Sequence, residues 1–174
     1  RGALGMPMVC LAARAGVATL VDEMLARGAE STFYTAAALA ELGVVRAELE
    51  DRPEAATTPD ENDMSPLLYC AESALGRADE DVERRLADIA ALLLDHGAAV
   101  DSAPESWMRP LSVAAGHSGN VPLVTLLLER AGAPPDGGPL WEALRTMRRQ
   151  GDRYSRICDL LHAHGEYSLD PILL

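Results

Sequence analysis

The chain has 174 residues, of which 48% are hydrophobic, 24% are charged and only 4% are aromatic. This length suits one domain or a short repeat array, with a core built mainly from Ala, Leu and Val. The formal net charge of −12 repels phosphate backbones and anionic lipids, which disfavours binding to nucleic acid or to a membrane surface.

Hydropathy and cysteine content favour a cytoplasmic protein. No stretch approaches the roughly 18 uninterrupted apolar residues that a membrane-spanning helix requires. No basic N-terminal segment followed by an apolar run predicts a secretory signal. Cys10, Cys70 and Cys158 are odd in number and far apart, which predicts free thiols rather than a disulfide framework. We therefore expect a cytoplasmic location.

The chain opens with two helix–turn–helix patterns. Residues 7–16 read PMVCLAARAG, and residues 20–29 read LVDEMLARGA. The second stretch has helical periodicity with one apolar face, and it ends in a Gly of the kind that helix C-caps prefer. Residues 33–53 (FYTAAALAELGVVRAELEDRP) repeat this plan in degenerate form, with an Ala-rich first helix and no terminal Gly.

An acidic stretch, EAATTPDEND (54–63), follows these two patterns. It has no hydrophobic periodicity; Pro53 precedes it and Pro59 interrupts it. Clusters of Pro, Asp, Asn and Thr between periodic segments are typical of loops. We expect an exposed, mobile linker here.

Three further patterns each begin with a Pro. The first helices read SPLLYCA (65–71), RPLSVAA (109–115) and GPLWEA (138–143), and Pro is favoured in the first helical turn. The second helices read IAALLLDHGA (89–98), LVTLLLERAGA (123–133) and ICDLLHAHG (157–165). The closing Gly97, Gly132 and Gly165 are 35 and 33 residues apart, a spacing typical of repeat arrays.

This pattern resembles the ankyrin repeat, whose units open with T-P-L-H-x-A-A and continue with G-x-x-x-V-V-x-L-L-L-x-x-G-A. Residues 109–133 are the best copy, although Leu68, Ser112 and Trp141 replace the family's opening His. The resemblance implies an all-α solenoid in which stacking buries the aliphatic face of each unit. We predict ten principal helices and no substantial sheet, in a single domain of five units that span approximately 6–30, 31–53, 64–101, 107–135 and 138–170.

The third unit carries an insertion, SALGRADEDVERRLA, over approximately residues 73–87. It lies between the two helices of that unit. We expect it to lengthen both helices or to add a charged turn on one side of the array.

The best candidate for a metal site combines Cys158, His162 and His164. A Cys and a His four residues apart share one helix face, which is a usable ligand spacing. However, Cys158 occupies an aliphatic position of the repeat, and a His near a helix C-terminus interacts favourably with the helix dipole without any further role. We therefore predict no metal and no other cofactor.

The best candidate for nucleophilic catalysis combines Ser112, His117 and Ser118. A hydroxyl nucleophile needs a nearby base and an orienting acid. Here Ser112 falls on a repeat helix, and the HSGN sequence from His117 is typical of the turn between two helices. We therefore predict that the chain is not an enzyme.

The repeat loops carry the candidate partner-binding residues. In the family that the chain resembles, loops and first helices line the binding face, and Trp and Arg are frequent energetic anchors of interfaces. The candidates are Trp107, Met108, Arg109, Tyr69 and Trp141. An alternative role for Trp107 is to pack on its own repeat, and Tyr69 and Trp141 lie on first helices where they would fit a core.

The resemblance and the net charge together predict a protein-interaction scaffold. Its partner would present a basic surface, because complementary potentials accelerate encounter. A structural or regulatory subunit that self-associates through the C-terminal unit is an alternative, since YSLDPILL (167–174) is more apolar than a capping end should be. A further alternative is a non-catalytic accessory domain of an enzyme.

Overall fold

A computed structural model describes residues 6–101, 109–131, 139, 142–146 and 151–164 of the chain. All regular structure within these ranges is helical, and they contain no strand. The prediction of an all-α fold is therefore confirmed.

The helices are short and follow one another closely. In chain order they are α1 (Met8–Ala15), α2 (Ala18–Ala26), α3 (Phe33–Ala38), α4 (Leu42–Asp51), α5 (Pro66–Glu72), α6 (Glu80–Asp95), α7 (Pro110–Val113), α8 (Val121–Ala131), α9 (helical residues 142–146) and α10 (Asp152–His164). Two 3₁₀ turns span Pro53–Ala56 and Leu75–Arg77, and α7 continues directly into a π-helical turn at Ala114–Ser118.

Local sequence signals determine where the helices begin. Pro66 and Pro110 lie in the first turn of α5 and α7, as predicted. The Ser65 side chain caps α5 by accepting a hydrogen bond of 3.2 Å from the backbone N–H of Leu68. Asp79 caps α6 in the same way, and its carboxylate accepts from the N–H groups of the two residues that follow Glu80 in the chain.

Glycines in the left-handed region end several helices. Gly97 follows α6 with a φ of 91°, which only a residue without a Cβ adopts readily. The predicted Gly stop is therefore confirmed for the third unit. Gly132 and Gly165 lie outside the described residues.

Two rows of helices form the body of the molecule. Helices α1, α3, α5 and α7 pack successively in one row, and α4, α6, α8 and α10 pack successively in the other. The rows meet through the pairs α3–α4, α5–α6 and α7–α8, while α2 packs on α1. Aliphatic side chains with no exposed surface fill the space between them, among them Leu67, Leu68, Leu86, Ile89, Leu93, Leu123 and Leu127.

The first unit does more than contact its neighbour. Helix α1 packs on both α3 and α5, and the backbone N–H of Ala74 donates a hydrogen bond of 3.0 Å to the carbonyl of Ala13. Helix α3 has only six residues, so it leaves the end of α1 in contact with the end of α5. Units one and three therefore meet directly, which a strictly one-dimensional array would not allow.

The insertion of the third unit lengthens only one helix. Helix α5 ends at Glu72, whereas α6 begins at Glu80 and runs for 16 residues. The 3₁₀ turn Leu75–Arg77 joins them. The prediction of an added turn is confirmed, and the prediction that both helices lengthen is wrong for α5.

The acidic stretch 54–63 is exposed at six of its ten positions, as predicted, but it forms an ordered turn. Ala55 and Ala56 are buried in the core, within the 3₁₀ turn that follows α4. The hydroxyls of Thr57 and Thr58 donate to the carbonyl of Glu54. Small apolar side chains and internal hydrogen bonds therefore hold a segment whose composition predicted only a loop.

Candidate functional site

The structure leaves most of the predicted partner-binding residues undescribed. Trp107, Met108 and Trp141 lie outside the described residues. Arg109 is half-buried immediately before α7, and its carbonyl accepts a hydrogen bond of 3.0 Å from the backbone of that helix. These four residues are therefore not shown to form one surface.

Tyr69 is buried, so the prediction that it contacts a partner is wrong. Its side chain has no exposed surface, because α5 packs between α3, α6 and α7. Its hydroxyl donates a hydrogen bond of 2.8 Å to a carboxylate oxygen of Asp60. The ring therefore supports the loop that precedes α5 rather than a partner.

The first helices differ strongly in what they expose. Every residue of α5 and of α7 is buried. Helix α1, in contrast, exposes 52% of Met8, and α3 leaves Phe33 and Tyr34 half-buried. Among the described residues of these helices, a partner would therefore meet side chains of α1 and α3 and the exposed Arg145 of α9, but none of α5 or α7.

Asp60 organises the loop between the second and third units. Its carboxylate accepts hydrogen bonds from the backbone N–H of Asn62 at 2.8 Å and of Met64 at 3.0 Å, in addition to the one from Tyr69. Tyr34 packs beside Tyr69, with ring centroids 5.5 Å apart, and donates to the Thr58 carbonyl at 3.2 Å. This group of contacts, the Asp60 loop, joins α3, α5 and the acidic turn.

These hydrogen bonds shift the pKa values of the titratable groups in the Asp60 loop. Partial burial raises the pKa of Asp60, but the hydrogen bonds from Met64, Asn62 and Tyr69 outweigh it, so the pKa lies below its ordinary value. Burial, followed by the bond to Asp60 and the negative charge of that carboxylate, raises the pKa of Tyr69. Both groups therefore keep their ordinary charge states at neutral pH.

Replacing Tyr69 by Phe should destabilise the fold by about 1.5–3 kcal/mol, because the Asp60 carboxylate loses a buried donor. Urea unfolding measures the loss, and hydrogen exchange at the Met64 amide reports on the loop. Tyr34→Phe is the matched control, since its hydroxyl binds only a carbonyl near the surface and should matter less. Equal losses in the two variants would contradict the special role of Asp60.

A second cluster of polar residues lies where the chain passes from the first helix of a unit to its second helix. We call it the turn network: Arg14, Glu72, Arg77, Glu83, His117, Arg153 and Tyr154. Arg14 pairs with the carboxylate of Glu72, which is 2% exposed. The ring Nε2 of His117 lies 3.0 Å from the Arg14 carbonyl and 3.9 Å from the Glu72 carboxylate. Units one, three and four therefore meet at one point.

The other half of the turn network binds backbone carbonyls at the end of the π-helical turn. The Tyr154 hydroxyl donates to the His117 carbonyl at 2.8 Å, and Arg77 donates to the carbonyls of His117 and Ser118. Arg153 pairs with Glu83 and also donates to the Gly119 carbonyl at 3.2 Å. These side chains satisfy carbonyls that the helix end leaves unpaired.

Sequence reasoning missed the turn network. An isolated Glu or Arg on a short helix ordinarily lies in solvent. Only the position of the residue within its repeat could have indicated that it is buried. Glu72 directly follows the buried LLYCA run of α5, which was the available signal. Its partners Arg14 and His117 lie 58 and 45 positions away in the chain, so no local pattern links them.

The structure gives the candidate catalytic residues separate contacts. Ser112 is buried in α7, and the Ser118 hydroxyl donates to the Ala114 carbonyl at 3.5 Å. His117 instead binds Arg14. Burial, together with the nearby charges of Arg14 and Arg77, lowers the pKa of His117 to about 4. The imidazole is therefore neutral at physiological pH and serves a structural contact.

The low pKa of His117 predicts a loss of stability in acid. The unfolded chain binds a proton near pH 6.5, whereas the folded chain does so only near pH 4. Stability attributable to this residue is therefore complete above about pH 6.5 and is lost as the pH falls toward 4. We expect the neutral form of His117 to contribute about 2 kcal/mol to the free energy of unfolding above this pH range, a value that allows for the 31% exposure of its side chain.

The measurement is the free energy of unfolding of wild type and His117→Gln across this pH range. Burial raises the pKa of Glu72 despite the charge of Arg14, so Glu72 acts in the opposite direction, but it is present in both proteins. The difference between the two curves should shrink as the pH falls. A constant difference, or the same trend in exposed His96→Gln, would contradict the assignment.

The cysteines and C-terminal histidines are not gathered into a metal site in the described part of the chain, which contains no group of three or more potential metal ligands. His164 Nδ1 lies 2.9 Å from the Leu160 carbonyl, as in a helix C-terminal contact. Burial and the charge of Asp60 raise the pKa of Cys10 to about 12, and burial also raises the pKa of Cys70. Both thiols are therefore protonated.

Comparisons with known proteins leave the structure as the source of functional inference. Among the residues described, no helix has the length and apolar character needed to cross a bilayer. The chain matches no protein-family model and no curated protein.

Proposed function

We propose that the chain is an ankyrin-like repeat array that acts as a protein-interaction scaffold. The observation that carries the proposal is the order of packing, in which α1, α3, α5 and α7 contact one another in succession and α4, α6, α8 and α10 do the same in a second row. The Pro-initiated α5 and α7 and the Gly stop after α6 support the same assignment. Such an array presents a rigid surface built from successive units.

The chemistry of the described side chains favours binding over catalysis. Tyr69, Asp60 and His117 each have an internal partner that accounts for their position. The acidic residues, in contrast, are concentrated in residues 17–64, which run from the start of α2 through the acidic stretch before α5. Residues 17–64 contain eleven acidic side chains and three arginines, a net charge of −8 out of −12 for the whole chain.

From this charge distribution we infer both the kind of partner and the part of the array that it approaches. A basic protein surface is complementary to this acidic segment and would be steered toward it. Met8, which is exposed on α1, and the half-buried Phe33 and Tyr34 of α3 lie in the first two units. Trp107, Met108, Arg109 and Trp141 remain proposed contacts. Three free cysteines fit a reducing, cytoplasmic compartment.

Affinity capture followed by reconstitution tests this function. The immobilised chain should recover a protein that binds the purified chain saturably in calorimetric titration, with an affinity that falls as salt rises. An unrelated protein of equal net charge is the control. A chain that recovers no protein beyond this control, or whose recovered proteins do not bind after purification, would contradict the proposal.

A further inference from the structure

The first two helices attach to the rest of the molecule mainly through α1. Helix α2 packs on α1, and Val21 is the one residue of α2 that is buried. Helix α1 in turn packs on α3, on α5 and on the 3₁₀ turn Leu75–Arg77. We call residues 6–29, which contain both helices, the first hairpin. The contacts that hold α1 in place therefore hold the whole hairpin.

The apolar contacts of α1 are made largely by small side chains. Met6 is buried in front of the helix, and the buried residues of α1 itself are Val9, Cys10, Ala12 and Ala13. In contrast, the apolar residues that α6 buries are Leu86, Ile89, Ala90 and Leu93. Apolar burial stabilises in proportion to the area removed from water, so α1 gains less from its neighbours than α6 does.

Polar contacts at the C-terminal end of α1 supply the rest of the attachment. The backbone N–H of Ala74 donates to the Ala13 carbonyl at 3.0 Å, Arg14 pairs with Glu72, and Nε2 of His117 lies 3.0 Å from the Arg14 carbonyl. We call these three contacts the Arg14 anchor. They join the first hairpin to units three and four, and none of the three involves unit two.

The charge of Glu72 makes the Arg14 anchor sensitive to the position of α1. A buried carboxylate requires a cation or water. Glu72 is 2% exposed, and Arg14 supplies the cation while α1 is in place. The adjacent Ser73 is also buried, and within the described residues its hydroxyl has no hydrogen-bond partner, which is unfavourable. Departure of α1 would let water reach this end of α5 and hydrate the carboxylate.

We propose that the first hairpin is a detachable end of the array, which the Arg14 anchor holds closed and which opens as a unit while α3 to α8 stay packed. Helices α3 and α5 keep other partners when α1 leaves, because α3 also packs on α4 and α5 also packs on α6 and α7. Opening uncovers the sides of α3 and α5 that α1 covers. The anchor thus controls access to a surface that the closed molecule hides, whether or not the chain is a scaffold.

Native-state hydrogen exchange of the full-length chain, resolved by NMR at neutral pH, measures this opening. Elements with few buried apolar contacts open at a lower free energy than the whole domain. Amides of α1 and α2 should therefore share one opening equilibrium, at least about tenfold more populated than that of α6 and α8. Exchange of α2 alone, with α1 as protected as α6, would show that the hairpin does not open as a unit.

Ile89→Val distinguishes local opening from global unfolding. Ile89 is buried in α6, and this mild substitution should accelerate exchange of α6 and α8 by about two- to tenfold. Exchange of α1 and α2 should change by less than about twofold, because α6 packs in the same way whether the hairpin is open or closed. Equal acceleration of all four helices would overturn the proposal, since the hairpin would then open only by global unfolding.

Arg14→Met tests the anchor itself. Exchange of α1 and α2 should rise at least about tenfold, because Glu72 keeps its charge in the closed state without a cation. Arg27→Met is the matched control, since Arg27 lies in the same hairpin and pairs with Glu23 in solvent; it should change exchange by less than about twofold. A rise below about twofold in Arg14→Met, or an equal rise in the control, would overturn the role of the anchor.

Thiol labelling followed by mass spectrometry gives an independent readout in wild type. Cys10 in α1 is 1% exposed and becomes accessible when the hairpin opens. Cys70 in α5 stays covered, because its Sγ lies 3.5 Å from the Ala37 carbonyl of α3, which does not move. Cys10 should therefore be modified at least about tenfold faster than Cys70 in the absence of denaturant. Modification of both thiols at one rate would contradict opening of the hairpin alone.

Discussion

Arg14→Met is expected to destabilise the fold by about 3–5 kcal/mol at neutral pH. The substitution keeps most of the packing volume but leaves the Glu72 carboxylate, which is 2% exposed, without its cation. Removal of one member of a buried ion pair is costly because the remaining charge cannot recover its hydration. Urea unfolding of the purified variant measures the loss.

Two comparisons separate the ion pair from general effects of the substitution. Arg27→Met breaks a pair with Glu23 in which both side chains are largely exposed, and it should cost less than about 1 kcal/mol. Adding Glu72→Gln to Arg14→Met should restore part of the lost stability, since no unpaired charge remains. A double variant less stable than Arg14→Met would show that Glu72 does not require Arg14.

The loss in Arg14→Met should also depend on pH. Burial raises the pKa of Glu72 above its ordinary value even with Arg14 present. The folded carboxyl therefore binds a proton at a higher pH than the unfolded one, and the penalty for its charge disappears as the pH falls. The difference from wild type should be smaller near about pH 5 than near pH 7.

Gly119→Ala is expected to destabilise the fold by about 2–4 kcal/mol. Gly119 follows the π-helical turn with a φ of 68°, where a side chain costs about 1 kcal/mol or more. A Cβ there would also lie 2.9 Å from the ring of Tyr154, which is buried and cannot move away freely. Overpacking of this kind adds about 1–3 kcal/mol.

Gly28→Ala isolates the backbone contribution. Gly28 has a φ of 87°, but a Cβ there would meet no atom within 4 Å. This variant should therefore lose only about 1 kcal/mol in thermal or urea unfolding. If Gly119→Ala proved no worse than Gly28→Ala, the contact between the π-helical turn and Tyr154 would not be as tight as described.

The helices themselves were largely predictable because their signals are local. Pro66 and Pro110 at helix starts and Gly97 after a helix end depend on the geometry of a single turn. The burial of Val45 and Leu49 on α4 follows from helical spacing of aliphatic residues. The degenerate second unit also forms its two helices, because it keeps the hydrophobic pattern of a repeat even though it lacks the closing Gly.

The candidate site was much less predictable. Tyr69 fits either a core or an interface by residue type, and only the packing of α5 between its neighbours buries it. The acidic stretch had the composition of a linker, yet the Asp60 carboxylate binds two backbone N–H groups and Tyr69. Such contacts depend on backbone geometry that composition does not encode.

By itself, the sequence determined the all-helical class, the order of the helices and the acidic character of the chain, because periodicity, capping and charge are properties of neighbouring residues. The tertiary structure alone decided which surfaces stay free. The shortness of α3 lets α1 reach α5, and this contact joins Arg14 to Glu72 and His117. With α2 packed on α1, Leu20 remains exposed where the equivalent Ile89 and Leu123 are buried, because burial depends on the neighbouring helix and not on the residue itself.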